Sequence, residues 1–258
     1  MTAITVGSNK LEFGRLAART LDVLRRNLGP FAVLAAIWFG LPVLVSDLLR
    51  LNPFGLPAGR ALAVPANFLC GLLSLAGYGA LVRGAVADLR GRTTPTRELF
   101  AEAAPMIAQL FGASLLLTLG VLLGLILLVV PGLILATRWA VVMPLMAVER
   151  SKGVSAAFAR STALTSGSRW RIFGLGLIYF TGLVAFGVLE STIEDLSGAG
   201  TTLSGGPFNP ADLLLPIVGG VMMGSVQLVG AVLSAVLYFE LREMRDGPDS
   251  SSLASVFD

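Results

Sequence analysis

An arginine inside an apolar run is the residue of this sequence best placed to do chemistry. Arg138 lies within "PGLILATRWAVVMPLMAVER", residues 131–150, where its neighbours otherwise suit hydrocarbon. A guanidinium is permanently charged and offers a planar fork of N–H donors, so it suits a phosphate or a carboxylate. The partners expected of it are a lipid phosphate in the outer leaflet or a carboxylate at the outer end of a neighbouring span, such as Glu190 or Asp47. The plainer reading is an arginine that snorkels or bonds helix carbonyls. Counted from Pro131 at about 1.5 Å per residue, Arg138 falls about 10 Å below the outer boundary. Trp139 beside it would anchor at the interface if it faced lipid, so Arg138 and Trp139 are the candidate anion or lipid contact.

Most other chemistries lack their residues. The chain has no histidine, which removes the commonest general base and metal ligand. Its one cysteine, Cys70, lies in an apolar run and is too few for a disulfide or a thiolate metal site. No catalytic residue, metal site or cofactor is expected, and no enzyme activity. Pro42, Pro144 and Pro216 fall in or near apolar spans, where each can kink a helix and free a carbonyl as transporters do. Against transport, no carboxylate lies near the middle of a span, and Asn67, Thr137 and Gln227 are the only notable polar companions. Two glycine pairs, Gly120 with Gly124 and Gly220 with Gly224, have the spacing that lets helix backbones approach closely, within the chain or against a second subunit.

The elements that must position these residues follow from hydropathy. Of 258 residues, 55% are hydrophobic and 14% charged, with a mean hydropathy of +0.81, which is the composition of a polytopic membrane protein. The expected fold is an all-α bundle of six transmembrane helices, a single membrane domain over residues 1–246. The spans are expected at 31–49, 62–82, 107–130, 132–148, 172–189 and 213–238, each near the length that a core of roughly 30 Å requires. Pro131 and Gly132 alone separate the third span from the fourth, which predicts a tight hairpin turn at that pair, with a kink at Pro144 below it.

Three amphipathic segments precede the three pairs of spans: residues 9–28, 95–106 and 153–166. The first, with charges distributed through it, is not a secretory signal and is expected to lie in the interface. The order fits a threefold helical-hairpin repeat, and it fits equally any multispan chain that keeps basic amphipathic stretches inside. Sixteen of the nineteen basic residues fall on one side of the spans, with only Arg50 and Arg60 opposite and Arg138 between, which predicts a multi-pass protein with both termini cytoplasmic. Residues 197–210 read as a flexible outer loop and residues 247–258 as a disordered tail, with no appended soluble domain.

The carboxyl-terminal half carries a resemblance. "PGLILATRWAVVMPLMAVER", then "GVSAAFARSTALTSGSRWRIFG" and finally "LYFELR" resemble the glycerophosphoryl diester phosphodiesterase membrane-domain family and related uncharacterised bacterial inner-membrane proteins. The pattern falls on Pro131, Gly132, Arg138, Trp139, Pro144, Glu149, Ala157, Arg160, Ser161, Trp170 and Gly174, and closes on Phe239, Glu240, Leu241 and Arg242. It is specific over residues 130–245 and loose before that. The family's catalytic domain, with its histidines and divalent metal, has no counterpart here. The resemblance therefore implies a non-enzymatic protein of the bacterial inner membrane acting in membrane or lipid homeostasis. Its partners would be membrane lipids and a membrane protein or second copy, not nucleic acid. A small-molecule or lipid transporter built on the kinked helices is the alternative.

Overall fold

In a bilayer each backbone N–H and C=O must find its partner inside the protein, and a helix lets one segment satisfy itself. The computed structural model of the chain describes residues 11–51, 59–92, 94–149, 153–197 and 214–247. Among them every regular element is helical and no strand occurs. The elements are α1 (Phe13–Arg26), α2 (Leu28–Ala35), a π-helical turn (Ala36–Gly40), α3 (Leu41–Leu51), α4 (Gly59–Leu89), α5 (Thr96–Ala103), a 3-10 turn (Ala104–Met106), α6 (Ile107–Leu127), α7 (Val129–Arg138), α8 (Val142–Glu149), α9 (Val154–Thr165), α10 (Arg169–Ser197) and α11 (Leu214–Asp246). The expected outer loop and tail lie outside the described residues, apart from Ser197 and Gly247 at their edges.

Among the described residues six stretches are long and apolar enough to cross a membrane: Leu28–Leu49, Ala61–Leu89, Ile107–Leu127, Val129–Glu149, Arg169–Ile193 and Pro216–Asp246. The chain is an all-α, multi-pass membrane bundle. The second and sixth spans run further than their hydropathy alone predicts. In α4 the helix continues past Val82 because Ala85 and Val86 remain buried. In α11 every residue from Ala235 to Leu241 is buried, which carries the helix beyond Tyr238.

The hairpin between the third and fourth spans turns earlier than expected. Leu128 alone is extended, with φ −165° and ψ 139°, and α7 starts at the next residue. Pro131 and Gly132 therefore lie inside α7 and do not form the turn. Proline is tolerated in a first helical turn, where its missing N–H has no partner to lose. Gly132 serves contact instead: a Cβ on Gly124 would sit 2.8 Å from Gly132 Cα.

The three short helices dock in different places. α1 turns Leu16, Thr20 and Val23 inward and leaves Phe13 and Leu21 exposed, so its buried stripe is set against protein. Leu99 of α5 is buried against α4, where a Cβ on Gly84 would meet it at 3.1 Å. α9 packs against α8 and the end of α7. The core gathers at the end of the bundle where α1, α9 and the last turns of α4 and α11 meet. That end also carries most of the described arginines, and we call it the basic end.

Candidate functional site

The fourth span is broken, and Pro144 explains how. Proline has no N–H, and its ring crowds the carbonyl four residues back, so Pro144 disrupts the ladder at Ala140. The N–H of Val142 bonds Trp139 O at 3.1 Å, and that of Leu145 bonds Val141 O at 3.0 Å, leaving Trp139–Val141 as a turn between α7 and α8. The break thus lies just above Pro144. It withdraws the Val142 N–H from Arg138 O, and a bare carbonyl at this depth costs about 1–3 kcal/mol. Ser161 Oγ at 2.9 Å and Thr165 Oγ1 at 3.2 Å, both from α9, donate to it. The same solution recurs in the first span. There Pro42 follows the π-helical turn, and the Trp38 carbonyl lies 3.1 Å from Ser74 Oγ of α4.

Arg138 ends α7, where the negative end of the helix dipole favours a cation. Its Nε is buried without a hydrogen-bond partner, and no described carboxylate pairs with it. Glu190, one expected partner, sits beside Gly219 near the start of α11, at the far end of α10 from α9. Arg138 instead abuts α9, so the count from Pro131 assigns it to the wrong neighbours: the break lets α9 pack alongside, which length alone does not foresee. Trp139 is also turned inward. Its ring meets Phe158 edge-on at 4.8 Å, and a Cβ on Gly120 would collide with it. The Gly120–Gly124 notch thus receives Trp139 and Gly132 of the same chain. Gly220 and Gly224 face the π-helical turn of the first span: Cβ atoms there would lie 2.9 Å from Gly40 O and 3.4 Å from Ala35 O.

Around this break the basic end is tied by ion pairs. Glu240 is 2% exposed and lies between two arginines of α1, Arg15 Nη2 at 2.6 Å from Oε2 and Arg19 Nη1 at 2.6 Å from Oε1. The second is a close charge contact without an aligned hydrogen bond. Arg19 also bonds Glu243 at 3.0 Å. Tyr238 donates to Glu149 at 2.7 Å, Arg160 Nε lies 3.9 Å from the same carboxylate, and Arg160 pairs with Asp246. The Asp246 hydrogen bond raises the Arg160 pKa above the usual arginine value, which keeps it charged. Arg83 donates to Ala147 O at 2.6 Å, fixing α8 to α4, and Arg26 pairs with Asp88 at 2.7 Å. Together these bonds fasten both chain-end helices, α1 and α11, to the broken span.

Two cations near the break are left out of this network. Among the described residues Arg169 and Arg171, at the start of α10, have no carboxylate partner. Arg169 borders a small apolar groove together with Thr137, the residue before Arg138. That groove, a larger one between α7, α10 and α11, and a third between the first span and α11 are lined almost wholly by apolar side chains, and none includes Arg138 or Gln227. Among the described residues no group of three or more His, Cys, Asp or Glu could hold a metal ion.

Sequence reading pointed to Arg138, Trp139 and Pro144, and these are neighbours in space as in sequence. It missed Thr165, Tyr238 and Arg169. The signal for Thr165 was present: Ser161 and Thr165 share one face of α9 at the spacing of one helical turn, as two donors aimed at one acceptor require. Of the residues that carry the sequence resemblance, Arg138 and Ser161 are joined by a hydrogen bond and Arg160 lies near Glu149. Compared with profiles of known families, with curated proteins and with solved structures, the chain matches none.

Proposed function

We propose that this integral membrane protein is non-enzymatic and binds anionic lipid at its basic end. In this reading it belongs to the bacterial inner membrane, keeps both termini cytoplasmic, and serves membrane or lipid homeostasis as a relative of the glycerophosphoryl diester phosphodiesterase membrane-domain family. A membrane-protein partner or a second copy is compatible with the same role.

One observation carries the proposal. Arg15, Arg19, Arg26 and Arg160 are each matched to a carboxylate, whereas Arg138, at the break, has none among the described residues. A charge held near hydrocarbon without a protein counter-ion needs another anion, and the lipid phosphate is the one that a membrane supplies at that level. Transport would need a polar cavity joining Arg138 to Gln227. The three grooves described are apolar, and Gln227 is exposed on α11.

The test is retention of lipid by the purified full chain from bilayers of equal phosphatidylglycerol and phosphatidylcholine, read by native mass spectrometry. Wild type is expected to keep phosphatidylglycerol preferentially, and Arg138→Gln to keep less of it with an unchanged unfolding midpoint. Equal retention of the two lipids by wild type would overturn the proposal.

A further inference from the structure

Leu133, Thr137 and Phe173 each line two apolar grooves at once. One, of about 520 Å³, runs between α7, α10 and α11; the other, of about 310 Å³, ends at Arg169 and Trp170. Shared walls set the two grooves side by side along α10, from Arg169 to Phe180, and we read them as one channel with Arg169 at its mouth. At about 1.5 Å per residue that stretch is about 16 Å long, close to half of a hydrocarbon core about 30 Å thick. The channel is therefore about as deep as one leaflet.

Its two ends differ in chemistry. Trp170 at the mouth is 86% exposed, as an interfacial tryptophan would be. Beside it, Arg169 has no carboxylate partner among the described residues. Deeper in, two of the three lining hydroxyl groups are spent on the protein, Thr137 donating to Ile134 O and Ser234 bonded to Tyr78 at 2.7 Å, and the third, on Tyr179, lies against Gly230. Such a wall does not suit a polar solute. It does suit an acyl chain, and the cation at its mouth suits the phosphate above that chain.

We infer that this channel is a binding site for an anionic glycerophospholipid, with one acyl chain lying along α10 over Gly176 and the headgroup phosphate on Arg169. The inference rests on the lipid-binding reading above and adds to the contact at Arg138 a second one, at Arg169, with a seat for the acyl chain. Gly176 is where the chain would pass closest to backbone, and a Cβ there meets nothing within 4 Å.

The same bilayers of phosphatidylglycerol and phosphatidylcholine test it on the full chain. Arg169→Gln is expected to lower the preference for phosphatidylglycerol about fivefold, the factor equivalent to about 1 kcal/mol per basic residue at a membrane surface. Gly176→Phe fills the channel without a backbone clash and is expected to reduce retention of both lipids while leaving the unfolding midpoint intact. Retention by both variants equal to that of wild type overturns the channel while the broader reading stands. Loss in Gly176→Phe with unchanged preference in Arg169→Gln overturns the anionic headgroup assignment. No preference in wild type overturns the broader reading itself.

Discussion

α10 and α11 are apolar helices of similar length, 29 and 33 residues, with opposite surroundings. In α11 the run from Ala235 to Leu241 is wholly buried and its last turns hold Glu240 between arginines of α1. Among the described side chains of α10 only Ile172 is buried. Hydropathy does not separate the two, because lipid and protein interior are equally apolar. What separates them is polar residues at the ends. α11 terminates in carboxylates that match arginines elsewhere, and α10 begins in arginines that match nothing described. The first is a spine, and the second is a wall with one side left to lipid.

The contrast can be broken by substitution. The largest effect is expected at Glu240: Glu240→Ala leaves Arg15 without its partner and Arg19 with Glu243 alone, and should lower the unfolding free energy by about 2–3 kcal/mol, measured by denaturant titration in mixed micelles. Gly124→Leu should cost about 2 kcal/mol in the same titration, because the added side chain meets the backbone of Gly132, which cannot give way as a side chain would. Ser161→Ala combined with Thr165→Val bares the Arg138 carbonyl and should cost about 1–2 kcal/mol. Each single variant should cost less, since the other hydroxyl still donates. Val184→Ala on α10, exposed toward lipid, should stay within about 0.5 kcal/mol of wild type. A Val184 effect as large as that of Gly124 would erase the distinction between the two helices.

The sequence disclosed the six spans because hydrogen-bond economy in lipid leaves an apolar run few other states. It misplaced the hairpin turn because Pro131 satisfies two rules at once, a turn residue and a first-turn helix residue, and only the Gly124–Gly132 contact decides between them. The break at Trp139–Val141 was legible from Pro144, yet the donors that cap it come from Ser161 and Thr165, more than twenty residues away, which no local pattern reveals. The inward turn of Trp139 was hidden for the same reason, since Gly120 and Phe158 belong to other helices. The arginine at the break could be read as a residue seeking an anion. That its neighbour would be α9, and not Glu190, is a property of the packing.

Tryptophan fluorescence tests the account most directly. The chain has three tryptophans, and Trp139 and Trp170 differ as the two helices do, one packed inward against Phe158 and Gly120, the other exposed at the channel mouth. Variants that keep one tryptophan, reconstituted in bilayers whose acyl chains carry bromine near the headgroup, report chain contact by quenching. The account predicts strong quenching of Trp170, greater in phosphatidylglycerol than in phosphatidylcholine, and weak quenching of Trp139 in both. Equal quenching of the two tryptophans, or no dependence of Trp170 on headgroup charge, would contradict it.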